Sequence, residues 1–181
     1  MSGRSSVVLD VEKGEAVARF GEEHRRMVLM ATEAFVTMME TLNAFGSAGL
    51  TMFYAMGMGK GRYDVLRELE ALRQQGNPVT KDQFLENIVH HLRVTGWGAT
   101  AIKRCDVRKG ELIVVLSNNP FVPPRTEKEE RKLESPLCHY FRGYWVGVAS
   151  EVFESMVICT ETKCMGKGDP YCEFEIVANK G

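Results

Sequence analysis

Apolar residues along the chain follow two rhythms, a short one suited to strands and a longer one suited to helices. Near the start, SVVLDV and AVARF are β-like runs separated by a turn signal at Lys13-Gly14, and Arg26 to Met30 is a third short apolar run. From about Thr32 the pattern turns helical, with Phe35, Met38, Met39, Leu42 and Phe45 recurring at steps of three and four. Gly46 and Gly49 then break or bend the chain. A second helix, rich in methionine and aromatics, is predicted from Ala48 to about Gly57. A third is predicted from Arg62 to Gln75, with Tyr63, Leu66, Leu69 and Leu72 on one side and Gly76-Asn77-Pro78 as its stop. Thr80 followed by Gln83 forms a capping-box signature, with a stripe of Phe84, Leu85, Ile88, Val89 and Leu92 behind it and Gly96 at its close.

The second half reads strand, helix, strand. Trp97 to Cys105 and Glu111 to Ser117 are strands joined by a turn at Lys109-Gly110. Phe121 to Ser135 holds prolines and the charge run TEKEERK, which reads as a solvated loop or lid; whether residues 119–136 close over anything is open. Leu137 to Phe153 is the clearest helix, with Leu137, Tyr140, Phe141, Tyr144, Val148 and Val152 in one stripe and Trp145 off it, more open. Gly143 and Gly147, four apart, offer a smooth patch where another element can approach closely. Met156 to Glu161 and Tyr171 to Val177 are two strands around a connection containing MGKGDP. No repeat or linker intervenes, so the expectation is one α+β domain.

Composition narrows the function. Hydrophobic residues make up 44% of 181, enough for a core without a disulfide scaffold. With 23 basic against 24 acidic residues, the chain lacks the surplus that binding duplex phosphates requires, so direct nucleic-acid binding is not expected. No signal peptide is read at the N-terminus, and the richest apolar stretch, Leu50 to Met58, falls far short of the roughly 20 residues of a membrane span. A cytoplasmic protein is expected. Five cysteines in a reducing compartment then suggest thiolates, metal ligands or buried spectators rather than paired disulfides.

Three of those cysteines and one glutamate form a constellation. Cys138 opens the aromatic helix, Glu161 ends a strand, Cys164 lies in the turn after it, and Cys172 begins the returning strand. In a hairpin, Glu161 and Cys172 would face each other across the neck, with Cys164 close by and Cys138 completing four ligands. Zinc favours such four-coordinate sets of thiolate and carboxylate, and a full set of protein ligands marks a structural site. Three thiolates and a carboxylate around a divalent ion leave a charge of about −2, which Lys163 and Lys167 soften, while N–H groups of the glycine-rich turn can reach the sulfurs. The spacing alone leaves other readings open: inert buried cysteines, or a Cys164–Cys172 disulfide. A catalytic Cys138–His139 pair is disfavoured because helical neighbours point about 100° apart.

The segment SPLCHYFRGYWVGVASEVFESMVICTETKCMGKGDPYCEFEI resembles the vinyl-reductase (4-vinyl reductase, hydrocarbon-binding) domain family, which includes the input domains of phenol- and toluene-responsive transcription activators. The shared pattern is a cysteine heading a glycine-containing helix, then E-x2-C, a Gly-Asp turn and a final C-x-F. Here it falls on Cys138, Gly143, Gly147, Glu161, Cys164, Gly168-Asp169, Cys172 and Phe174. LNAFGSAGLTMFYAMGMGKG and SNNPFV also look like the family, so the resemblance runs from about residue 25 to the end.

It implies an antiparallel sheet packed by helices, related to subunits of Golgi transport particles, and zinc on Cys138, Glu161, Cys164 and Cys172. It further implies dimerisation through the N-terminal part, here residues 1–24, with residues 25–181 as the ligand-binding domain. The ATPase and DNA-binding domains of the activators have no counterpart in this sequence, so signalling would pass through a homodimer or a separate effector protein.

A closed four-ligand zinc leaves no position for water, so the ion is expected to clamp the C-terminal hairpin to the helix head rather than catalyse. The expected ligand is small and hydrophobic, of a planar aromatic kind, with His90, His91, Trp97, Phe121, Tyr140, Phe141, Tyr144 and Trp145 as candidate contacts; the bland alternative is that these are core or surface residues. The cluster Gly57-Met58-Gly59-Lys60-Gly61 lacks the phosphate-loop pattern. An accessory or carrier role in tetrapyrrole vinyl reduction is the alternative function. No dinucleotide fingerprint supplies a hydride, so a non-enzymatic binding module is the leading expectation.

Overall fold

The β-branched runs form strands and the three-to-four-residue stripes form helices in the computed structural model, which describes residues 6–10, 12–13, 15–20, 23–28, 30–76, 80–122 and 138–179. Strands β1 (Ser6–Asp10), β2 (Glu15–Phe20) and β3 (Glu23–Met27) make a small antiparallel sheet in chain order, with Val8 opposite Val17 and Ala16 opposite Met27. A second antiparallel sheet holds β4 (Ala99–Asp106), β5 (Glu111–Ser117), β6 (Val157–Lys163) and β7 (Cys172–Ala178) in the order β4-β5-β7-β6. The last hairpin thus adds its second strand to β5 and leaves β6 at the edge. The α+β class, with an antiparallel sheet packed by helices, agrees with the expectation from sequence.

Among the described residues four helices accompany the sheets: α1 (Thr32–Ala44), α2 (Gly46–Gln75), α3 (Lys81–Val94) and α4 (His139–Phe153). The capping box is formed as read: the Thr80 side chain accepts from the Gln83 N–H, and the Gln83 side chain accepts from the Thr80 N–H. Behind it Phe84, Leu85, Ile88, Val89 and Leu92 are all buried. Helix α4 lies between α2 and the second sheet, touching α2 along one side and β6 and β7 on the other. It is buried almost all round, from Tyr140 to Val152, as expected of a helix whose every face is apolar. Trp145 is therefore completely buried, which corrects its reading as an open position.

Helix α2 corrects a second expectation. Where two helices separated near Gly57 to Gly61 were expected, one helix of 30 residues runs unbroken. The glycines do not end it because they form its contact face. A Cβ at Gly57 or Gly61 would run into the carbonyls of Tyr140 and Tyr144, and one at Gly143 or Gly147 into those of Tyr54 and Met58. Two G-x3-G pairs interlock, so the helix backbones touch and α2 gains more from this seam than glycine's helix propensity costs, about 1 kcal/mol each. The seam also rotates α2: Asp64 and Val65 turn inward, whereas Tyr63, Leu66 and Leu69, expected on the packed side, are exposed. The smooth patch of Gly143 and Gly147 receives α2.

None of the helices among the described residues is long and apolar enough to cross a membrane. The expected TEKEERK loop falls within residues 123–137, outside the described residues.

Candidate metal centre and aromatic cluster

Four elements bring the constellation together. Cys138 sits immediately before α4, Glu161 on β6, Cys164 at the entry to a 3-10 turn (Met165–Lys167), and Cys172 at the start of β7. The local sequence fixes Cys164: its N–H donates to the Asp169 carboxylate at 2.8 Å, and its carbonyl accepts from the N–H groups of Lys167 and Asp169. Gly168 closes the turn at φ +109°, in the left-handed region that glycine tolerates. One detail of the expected hairpin differs. Glu161 lies opposite Phe174, not Cys172, and the register shifts only beyond it, between Glu161 and Lys163. Cys172 and Phe174 alternate onto the same face, and Glu161, directly opposite Phe174, shares it.

The four donor atoms lie within 4.8 Å of one another, and Cys138 Sγ is 3.5 Å from Cys172 Sγ. A tetrahedron with metal–sulfur bonds of about 2.3 Å has sulfur–sulfur edges of about 3.8 Å, so this grouping needs little adjustment to hold an ion. All three sulfurs are buried, and both carboxylate oxygens of Glu161 are buried without a hydrogen-bond partner. A buried carboxylate with nothing to satisfy it is costly unless a cation supplies the missing partner. The electrostatics carry the same message. Burial pushes the Glu161 carboxyl up to about 8, against the nearby Arg142 charge. Hydrogen bonds with Cys164 and Cys172, then burial, raise the Cys138 thiol well above its ordinary range. For Cys172 the hydrogen bond with Cys138 draws the thiol down, but the one with Cys164 and burial outweigh it and hold it at about 11. Four groups that would each carry negative charge crowd one dry spot, and a divalent cation there reverses every one of these penalties. The donor set fits a thiophilic metal ion.

Supporting contacts surround the cluster. The Met165 N–H donates to Cys172 Sγ at 3.4 Å, as expected of the glycine-rich turn. Asn119, buried beside the cluster, donates to Cys138 Sγ at 3.1 Å and Cys172 Sγ at 3.4 Å. The neighbouring cation is Arg142, one turn into α4, whose Nε donates to the Cys159 carbonyl at 3.4 Å. Lys163, expected to soften the charge, turns to Tyr171 instead, donating to its hydroxyl at 2.7 Å. Asn119 and Arg142 were not anticipated from sequence. SNNPFV was visible as a motif, but nothing local says that its second asparagine meets two sulfurs.

Against this centre packs a cluster of rings. Trp97 stacks on Tyr140, with centroids 5.2 Å apart and planes 4° from parallel. Phe121, fully buried, meets Phe53, Phe141, Tyr140 and Phe35 at centroid distances between 5.3 and 5.7 Å. Phe141 continues to Phe174, two residues beyond Cys172, at 6.3 Å. Trp97, Phe121, Tyr140 and Phe141 are thus brought together, joined by Phe35 of the first helical stripe and by Phe53 of α2. Tyr144 and Trp145 lie one turn further along α4 and pack on each other edge to face at 5.5 Å. The Tyr144 hydroxyl donates to buried Asp64 at 2.9 Å, and Lys60 Nζ donates to the same oxygen at 2.6 Å. His90 is exposed on α3 and His91 half-buried. A cleft of about 300 Å³ opens elsewhere, between Val65, Leu72, Phe84 and Val152, and none of the expected ligand contacts lines it.

Known proteins resemble this chain in sequence and fold. The model of the V4R domain family matches residues 127–178. An uncharacterised protein of Methanocaldococcus jannaschii is 31% identical over 102 residues, covering 53% of this chain and 51% of the relative, so the chain spans about half the length of that curated relative. Among solved structures, the phenol-responsive sensory domain of the transcription activator PoxR, with phenol, superposes with a TM-score of 0.71 at 18% identity, covering 95% of this chain and 84% of that one. A trafficking protein particle complex subunit 3 from Naegleria fowleri, covalently bound to palmitic acid, superposes with a TM-score of 0.57 at 17% identity, covering 82% and 95%. At these identities the structural likeness is one of fold. Residues 127–178, which match the V4R domain model, contain all four members of the cysteine–glutamate cluster, so the resemblance read from the sequence pattern falls on the same segment.

Proposed function

We propose that this protein is a cytoplasmic, non-enzymatic sensor or carrier domain for a small hydrophobic, aromatic molecule, with a structural zinc held by Cys138, Glu161, Cys164 and Cys172. The observation that carries the reading is the contact between a closed four-donor cluster and a cluster of rings centred on Phe121, both anchored at the head of α4. Zinc with four protein ligands has no open position for substrate; bound here, it would hold the β6–β7 turn against α4. Cys138, Cys164 and Cys172 would supply thiolates, and Glu161 would find in the ion the partner it otherwise lacks.

A planar aromatic ligand would take its place among Trp97, Phe121, Tyr140 and Phe141 by displacing ring–ring contacts worth about 0.5–1.5 kcal/mol each. The fold shared with the PoxR phenol-sensing domain supports this ligand class. His90, His91, Tyr144 and Trp145 stand further out in the same proposal, as residues that shape or reach the site. We assign residues 1–24 to dimerisation and residues 25–181 to ligand binding, with a separate effector reading the dimer. The support is that Val7, Val8 and Leu9 of β1 are all exposed, so both faces of that strand lack cover.

Native mass spectrometry of the freshly purified protein tests these parts together. A dimer carrying one zinc per chain and an aromatic adduct, or one that takes up phenol on titration, is the expected result. A metal-free monomer that binds no aromatic compound would overturn the reading.

A further inference from the structure

The Asn119 side chain touches both clusters. The chain leaves β5 at Ser117, passes through Asn118 in the left-handed region at φ +53°, and places Asn119 in the interior with 3% exposure. The Asn119 side-chain oxygen Oδ1 accepts from the Phe121 N–H at 3.0 Å. That contact fixes the amide's orientation, because only the oxygen can meet an N–H. The amide nitrogen must then face the sulfurs of Cys138 and Cys172, at 3.1 and 3.4 Å. One end of Asn119 therefore reads the state of two sulfurs, and the other sets the backbone of the residue at the centre of the ring cluster.

We propose that Asn119 is a positioning residue that couples metal occupancy to the aromatic cluster. This rests on the metal reading above and adds regulation to it. A metal-bound thiolate is a charged acceptor and holds the Asn119 amide firmly, since hydrogen bonds to charged groups are about twice as strong as neutral ones. A neutral thiol holds it weakly and brings a proton of its own. With the metal bound, Asn119 pins Phe121 and the rings keep one arrangement; without it, Phe121 loses that anchor. Coupling between two bound species is reciprocal, so an aromatic ligand and the metal each alter the other's affinity through this residue.

The test uses metal alone as the probe. Protein labelled with 5-fluorotryptophan, in which the Trp97 resonance is assigned by its loss in Trp97→Phe, is stripped of metal and titrated with zinc. Cobalt binding is followed separately by its sulfur-to-metal absorption. In the unsubstituted chain zinc shifts the Trp97 resonance, because Trp97 packs 6.1 Å from Phe121. Asn119→Ala binds metal roughly 10-fold more weakly, moves the cobalt–sulfur band, and leaves Trp97 unresponsive at saturating zinc. Asn119→Asp keeps an acceptor for the Phe121 N–H but loses the donor to sulfur; it gives the same loss of response and serves if the alanine variant does not fold. A Trp97 response that survives in either folded variant at saturating zinc overturns the coupling. So does an unsubstituted chain that binds metal without any Trp97 response. An unsubstituted chain that binds neither zinc nor cobalt overturns the metal reading itself.

Discussion

The glycine seam between α2 and α4 positions everything at the head of α4, and its energetics can be worked out from two substitutions on one helix. A Cβ at Gly57 would lie 2.9 Å from the Tyr140 carbonyl carbon and 3.0 Å from the Tyr144 nitrogen, besides overlapping the Tyr140 carbonyl oxygen. Ordinary carbon contacts are about 3.5–4.0 Å, so α2 and α4 must part by roughly 1 Å to admit it. The obstacle is backbone, which cannot rotate away as a side chain would. Gly57→Ala therefore carries the upper range of overpacking penalties, about 3 kcal/mol, against a gain of about 1 kcal/mol in helix propensity. At Gly59, two residues along, a Cβ meets nothing within 4 Å, so Gly59→Ala keeps the gain without the penalty. The expected result is a loss of about 2 kcal/mol for Gly57→Ala and a gain of about 1 kcal/mol for Gly59→Ala, equivalent at this chain length to a fall of about 4–8 °C and a rise of about 2–4 °C in Tm. Urea and thermal unfolding followed by circular dichroism measure both. Two variants of equal stability would refute the close approach of α2 and α4.

Other outcomes follow from the same packing. Cys164→Ser, or a strong chelator acting on the unsubstituted chain, lowers Tm by more than Gly57→Ala does, because binding free energy at a structural zinc is largely folding free energy; an unchanged Tm in differential scanning calorimetry contradicts this. Native thiol titration modifies at most Cys105, slowly, since it is half-buried and burial, with Asp82 beside it, holds its thiol at about 11. Chelation then releases Cys138, Cys164 and Cys172 together, and three fast thiols before chelation would be inconsistent with a bound ion. Tyr144→Phe removes a buried hydrogen bond to the Asp64 carboxylate and costs about 1.5–3 kcal/mol in urea unfolding; a change below about 0.5 kcal/mol would show that Asp64 has a better partner.

The elements that could be read from sequence are those whose causes are local. Thr80 and Gln83 cap α3 across three residues, and β5 follows its own alternation from Glu111 to Ser117. The four cluster residues were legible through a family pattern, since their spacing alone also suits inert cysteines. What was missed depends on partners distant in the chain. The glycines of α2 look like helix breakers until the second G-x3-G on α4 is set against them, more than eighty residues later. Trp145 looks open from a single stripe, but α4 is covered on every side. Glu161 was set against Cys172 by counting residues, but the strands pair it with Phe174, two residues further along β7. Asn119 carries no local signal at all, because its sulfur partners lie 19 and 53 residues away.

The claim on which the rest depends is that Cys138, Glu161, Cys164 and Cys172 bind one zinc ion. Zinc K-edge X-ray absorption on the purified protein addresses it directly. The account requires a four-coordinate first shell of three sulfurs at about 2.3 Å and one oxygen at about 2.0–2.2 Å, with the oxygen replaced or lost in Glu161→Ala. A metal-free protein, or a zinc shell of nitrogen and oxygen alone, would contradict it.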